Sequence, residues 1–194
     1  MNTQRTNLVS TRQDPLCIHY KTVPEDALIT DKAKTISNVE GNPFRGTVKI
    51  GQDEHAVSLQ YGLHSAVGGY HDGPNPGDML CAAVAACLDS TIRLIACRLG
   101  VSLTQLEITV EANADVRGAL MVDNQVAVGF ADMHSQVVMQ SQAGTSPKLI
   151  KALMDAAEHS CVNYQTLIKS ISITSDHVIT TASDSNNELD KLIA

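Results

Sequence analysis

The stretch Asn75-Pro76-Gly77-Asp78-Met79-Leu80-Cys81-Ala82-Ala83-Val84-Ala85-Ala86-Cys87-Leu88 decides the architecture. Asn is a favoured N-cap because its side-chain oxygen accepts from the first unpaired helix N–H groups. Pro at the first helical position has no N–H to leave unpaired. Asp78 places a carboxylate in the first turn, where the helix dipole favours negative charge. Small apolar residues then continue to Leu99, and Gly100 supplies a stop. The spacing predicts a helix over 76–99, about 24 residues and roughly 36 Å long. Leu80, Val84, Cys87, Thr91 and Leu94 form one stripe; Cys81, Leu88, Ile92, Ile95 and Leu99 form a second. Two apolar stripes leave a narrow polar face, with Asp89 and Arg93, so the helix is expected at the centre of the fold.

Upstream, a glycine-rich loop, Gly68-Gly69-Tyr70-His71-Asp72-Gly73-Pro74, leads into the helix. It lacks the spacing of a phosphate-binding loop. Before it, Phe44–Ile50 and His55–Tyr61 are short alternating or β-branched runs separated by Gly51-Gln52-Asp53-Glu54, which predicts a hairpin. Downstream, Leu106–Glu111, Gln125–Ala131 and Ser135–Gln140 alternate as strands do. Ser146-Pro147 opens a second helix, with Leu149, Ile150, Leu153, Met154, Ala157 and Cys161 at helical spacing and continuation through Leu167 left open. Ile171–Thr174 and His177–Thr180 read as final strand material. Residues 1–40 read as an irregular arm, with room for a short helical turn between Val23 and Lys34. Residues 41–182 form the domain and 183–194 a tail. Strands are grouped rather than alternating with helices, so the fold class is α+β with mostly antiparallel sheet.

Composition narrows the function. The chain has 194 residues, is 43% hydrophobic and carries a net charge of −7; aromatics are 3% and Trp is absent. That suits one domain with an aliphatic core. It argues against nucleic acid, whose recognition calls for basic surface and stacking rings. No apolar run is judged to approach a membrane span, and the polar Met1–Gln13 segment has no secretory apolar core, so no membrane partner and a cytoplasmic location are expected. The seven histidines show no ligand spacing, so neither metal nor cofactor is expected.

Cys17, Cys81, Cys87, Cys97 and Cys161 make an odd count. Within one helix, Cys81 and Cys87 would lie about 9 Å apart along the axis and Cys87 and Cys97 about 15 Å. A disulfide needs Cα atoms within about 7 Å, so these three do not pair with one another in an intact helix. A partner for Cys87 comes from elsewhere, Cys161 being the natural candidate. Free cysteine is commonly a small buried hydrophobe, and for Cys17, Cys81 and Cys97 that structural reading is preferred.

The segment Asn75-Pro76 … Ala85-Ala86-Cys87-Leu88 resembles the OsmC/Ohr family of osmotically inducible and organic-hydroperoxide-resistance proteins. The likeness continues through Gly100, Leu103 and Leu106-Glu107-Ile108-Thr109-Val110, and returns at Ala156-Ala157 … Cys161 … Leu167. It covers roughly residues 43–180. The resemblance implies an intertwined homodimer with two central helices wrapped by curved antiparallel sheets. It implies thiol-dependent reduction of organic hydroperoxides, with Cys87 as the peroxidatic and Cys161 as the resolving cysteine, regenerated by a dithiol reductant.

An unperturbed thiol is only about 3% thiolate at pH 7, and apolar surroundings lower that fraction, so such a site calls for an activating cation. Here the chain departs from the family pattern. The acidic residue directly after Asn-Pro, which in the family helps hold an activating arginine, is Gly77. Asp78 stands one position along, turned by about 100°. Arg45 in the first hairpin strand is the best-placed arginine, and His71 is a second loop donor. The proline that commonly follows the second cysteine is Val162. Two other readings stand beside the peroxidase: a catalytically weak OsmC-like protein that binds small apolar molecules or senses oxidants, and an interaction protein whose acidic surface and arm recruit a partner.

Overall fold

A computed structural model describes residues 7–36, 41–177 and 179. Helix α1 (Leu8–Thr22) opens the chain and is followed by a 3-10 turn at Pro24–Ala27. Strands β1 (Ala33–Ile36), β2 (Arg45–Ile50) and β3 (Val57–Gly62) form an antiparallel three-stranded sheet in that order. The long helix α2 (Pro76–Leu99) follows, then β4 (Leu103–Asn113), a single helical turn α3 (Val116–Ala119), β5 (Asp132–Ser141), α4 (Pro147–Ser160) and α5 (Val162–Lys169). Strands β4 and β5 pair antiparallel from Asn113↔Asp132 to Leu103↔Ser141. The fold class is therefore α+β with antiparallel sheets, as the sequence predicts.

α2 occupies the span that its sequence signals define. Asn75 Oδ1 accepts from the N–H groups of Gly77 (2.7 Å) and Asp78 (3.2 Å), while Asp78 Oδ2 accepts from the Asn75 N–H at 2.8 Å. This reciprocal arrangement is a capping box. Gly100 ends the helix in the left-handed region at φ 70°, which glycine enters without a Cβ clash.

Only one stripe of α2 is fully buried: Val84, Leu88, Ile92 and Ala96. It packs on β4, α4 and α5. One core cluster joins Val84 and Leu88 to Cys161, with Cys87, Ile108, Val110, Met133 and Tyr164 around them. A second joins Ala96, Val101 and Leu153. Burying a side chain such as Leu88 or Leu153 stabilises by about 1.5–3 kcal/mol. The rest of the apolar surface, drawn from both predicted stripes, remains partly open, with Leu80, Leu94 and Leu99 each more than a third exposed. The β1–β3 sheet packs extensively against no helix of its own chain among the described residues.

Four expectations are corrected. The stretch 8–22, read as irregular because of Pro15, is helical. Its N-cap Asn7 accepts from Val9 and Ser10, and the helix docks on α2 through Arg98, which donates to Gln13 (2.9 Å) and Asp14 (2.7 Å). Gln125–Ala131 alternates but forms no strand. The hairpin already closes at Asn113 and Asp132, and the segment folds back over Gly118, where an added Cβ would lie 2.7 Å from the Val126 carbonyl oxygen. Ile171–Thr174 carries no regular structure; His177–Thr180 lies partly, and the 183–194 tail wholly, outside the described residues. Finally, α2 does reach membrane-spanning length, with mean hydropathy 1.8 over an 18-residue window. In this structure it packs one side against β4, α4 and α5.

Candidate active site

α2 delivers Cys87 to the first core cluster, and the α4–α5 junction delivers Cys161. The second helix does not run through Cys161 unbroken. α4 stops at Ser160, Cys161 adopts an extended conformation (φ −76°, ψ 111°), and α5 begins at Val162. Its backbone ties into both helices: the Cys161 N–H donates to Ala157 (2.9 Å), and its carbonyl accepts from the Gln165 N–H (2.9 Å). The break turns the Cys161 side chain inward, where it is fully buried. Cys87 packs against the same cluster and is half-buried. All five cysteines are free thiols.

Burial pushes the Cys161 thiol above its ordinary pKa, and the nearby Cys87 thiol adds to that rise. The first amides of α5, at Tyr164 and Asn163, act the other way by favouring the thiolate, without closing a capping hydrogen bond. Cys161 is thus held as a neutral thiol at neutral pH.

The remaining predicted site residues are engaged with partners other than the thiols. Asp78 is engaged in the α2 cap, where it also accepts from Asn75 Nδ2 at 2.7 Å. Arg45, at the start of β2, pairs with Asp72 of the glycine-rich loop, and its guanidinium lies 5.0 Å from the centroid of the Tyr70 ring. Among the described residues no hydrogen bond joins Arg45 or Asp78 to either sulfur. Arg93 is taken up by Asp89 at 2.8 Å. Asp72 and Tyr70, partners of Arg45 that sequence reasoning missed, lie in the loop already recognised for its glycines.

Gly77 has a structural reason. A Cβ there would lie 2.9 Å from Asn75 Oδ1 and 3.1 Å from the Phe130 ring. The cap and Phe130 together fill the space that a side chain at this position would need.

A cavity of about 1110 Å³ flanks the N-terminal half of α2, lined by Cys81, Ala82, Ala85, Ile108, Val110 and Phe130 among others; Cys87 is not in its lining. Burial, and then the charge of Asp78, raise the Cys81 pKa. His71 lines the cavity beside His64, their rings 4.5 Å apart. Among the described residues no His, Cys, Asp and Glu side chains gather in a metal-binding cluster.

Residues 69–176, more than half the chain, match the model of the OsmC-like protein family. The chain belongs to the OsmC family. The match contains α2 with Cys87 and the α4–α5 break with Cys161. Solved structures share the fold at low identity. An OsmC-like protein from Mycoplasma pneumoniae aligns with TM-score 0.56 and 17% identity over 73% of this chain and 89% of that one. An organic hydroperoxide resistance protein OsmC from Legionella pneumophila aligns with TM-score 0.52 and 20% identity over 72% and 90%. An organic hydroperoxide resistance protein from Elizabethkingia anophelis aligns with TM-score 0.51 and 19% identity over 72% and 89%. No curated protein sequence matches the chain.

Proposed function

We propose that this OsmC-family chain is a cysteine peroxidase that reduces organic hydroperoxides through Cys87 and Cys161. The observation that carries the reading is the meeting of two free thiols, one from α2 and one from the α4–α5 break, in one buried apolar cluster. The substrate class is supported by the names of the Legionella pneumophila and Elizabethkingia anophelis proteins of the same fold. The apolar surroundings suit an organic peroxide better than a small polar one.

The roles follow from exposure. Cys87, half-buried, is the thiol a peroxide reaches. Its thiolate attacks the distal peroxide oxygen, the O–O bond breaks, and the alkoxide takes a proton to leave as an alcohol. Cys87 becomes a sulfenic acid. Cys161, kept neutral and out of reach of solvent, then condenses with it: the S–O bond breaks, an S–S bond forms and water leaves. A dithiol reductant returns both thiols. Arg45 is the proposed activating cation, held by Asp72 rather than by Asp78. We further place the chain in the cytoplasm, where a reducing milieu keeps thiols free. It works as a homodimer in which a second copy covers the open apolar surface of α2 and the unpartnered β1–β3 sheet.

A second reading, binding or oxidant sensing without turnover, is favoured by one observation: Gly77 and the capped Asp78 leave Arg45 to an exposed ion pair with Asp72 instead of an acid in the first turn of α2. Steady-state consumption of cumene hydroperoxide with dithiothreitol separates the two. The peroxidase reading expects turnover by the parent chain, none by Cys87→Ser, and a single turnover followed by stalling in Cys161→Ser. Steady turnover by Cys87→Ser would end it, and an inert parent chain would leave the binding reading.

A further inference from the structure

The break that presents Cys161 is clasped to α2 by a side chain that none of the foregoing assigns. Asn163, in the first turn of α5, donates from Nδ2 to the Ala83 carbonyl oxygen at 2.8 Å, across 80 residues of sequence. Ala83 lies one helical turn before Cys87, so its carbonyl is the one that receives the Cys87 N–H in α-helical pairing. A carbonyl oxygen has two lone pairs and accepts both donors. Asn163 therefore grips the peptide group directly beneath Cys87. On the other side of the break, Gln165 Nε2 donates to the Glu158 carbonyl at 2.8 Å, bracing α5 against the last turn of α4. The extended residue between the two helices is held by one backbone bond to each of them. These two side-chain bonds add to the backbone bonds and core packing of Cys161, and among the hydrogen bonds of the described residues only that of Asn163 ties the break to α2.

We propose that Asn163 is a positioning residue for disulfide closure: it holds the resolving cysteine within reach of Cys87, so that attack on the sulfenic acid outruns a second oxidation. The inference rests on the peroxidase reading. The step it governs is Cys87–SOH plus Cys161–SH giving Cys87–S–S–Cys161 and water, with no further oxidant. Closing two groups already in register saves the entropy of finding one another, and loss of register is felt in that step alone.

The test compares the parent with Asn163→Asp, which keeps the shape and removes the donor, and with Asn163→Ala. Each reduced protein is mixed with one equivalent of cumene hydroperoxide. Cys87 sulfenic acid is trapped with dimedone over time, and disulfide and Cys87 sulfinic acid are quantified by mass spectrometry. The expected result is unchanged sulfenic acid formation, disulfide closure slowed about threefold to tenfold, the factor commanded by one lost hydrogen bond, and more sulfinic acid after repeated additions. Closure at the parental rate in both variants would overturn the inference. So would equal slowing of both steps, which marks a general structural role. A parent that forms neither sulfenic acid nor disulfide would remove the peroxidase reading and this inference with it; the parent's own trace tells that failure from the others.

Discussion

The Cys87–Cys161 cluster and the Arg45–Asp72–Tyr70 group are built by different physics. The first is core: Val84, Leu88 and Cys161 are almost fully buried, on elements that pack on one another within one chain. The second is surface: Arg45 is 57% and Asp72 38% exposed, at the end of a strand and in the loop that leads into α2. A thiol pair placed by hydrophobic packing is fixed by the fold of a single chain. A cation placed by an exposed ion pair is held weakly, because solvent screens the pair. The thiol geometry is accordingly the intrinsic part of the proposed site, and the proposed activating group the part least fixed by the fold.

The largest expected effect breaks the packed half. Leu88→Ala removes a fully buried side chain from the cluster that holds both cysteines and is expected to destabilise by about 2–5 kcal/mol, read as a lower denaturant midpoint with unchanged slope. A loss under about 1 kcal/mol would show that the cluster is looser than its burial indicates. A smaller effect probes the surface half. Arg45→Ala and Asp72→Asn are expected to slow peroxide reduction and move its pH–rate profile to higher pH while leaving the unfolding midpoint in place. An unaltered profile removes that group from the chemistry. Asp78→Ala is expected to do the converse, costing about 0.3–1 kcal/mol through the lost first-turn carboxylate of the capping box with thiol chemistry kept. A changed pH–rate profile there would return Asp78 to the site.

The smallest effect concerns pH. Cys161 has a folded-state pKa raised by burial, so above the ordinary thiol pKa of about 8.5 the unfolded chain releases a proton that the folded chain retains. The stability from the buried neutral thiol is complete below that value and falls as pH rises through the folded pKa. Cys161→Ser is expected to flatten the alkaline decline measured by chemical denaturation; identical slopes would show that other groups cause it.

The contrast also explains what the sequence discloses. α2 was legible to the residue because its signals are local: Asn75 and Pro76 at one end, Gly100 at the other. Strands β4 and β5 and helix α4 were legible from periodicity, and Cys161 from its place on that period. Helix α1 was not, since Pro15 suggests a break, and the contacts that dock it, Asn7 to the Cys97 carbonyl at 2.5 Å and Arg98 to Asp14, come from residues more than 80 positions away. The strand expected over Gln125–Ala131 failed because alternation is blind to where a hairpin closes and to the open face of Gly118. The break at Cys161 was hidden because Val162 lacks the constraint a proline would have announced. The Arg45–Asp72 pair escaped notice because a carboxylate in a glycine-rich loop carries no period.

The central claim is that Cys87 and Cys161 form a working redox pair. Its most direct test is to mix the fully reduced protein with one equivalent of an organic hydroperoxide, digest without reductant and map cysteine linkages by mass spectrometry. The account predicts a rapid, stoichiometric Cys87–Cys161 disulfide with Cys17, Cys81 and Cys97 unmodified. Five unmodified thiols after long exposure, or a linkage that omits Cys87, would contradict it.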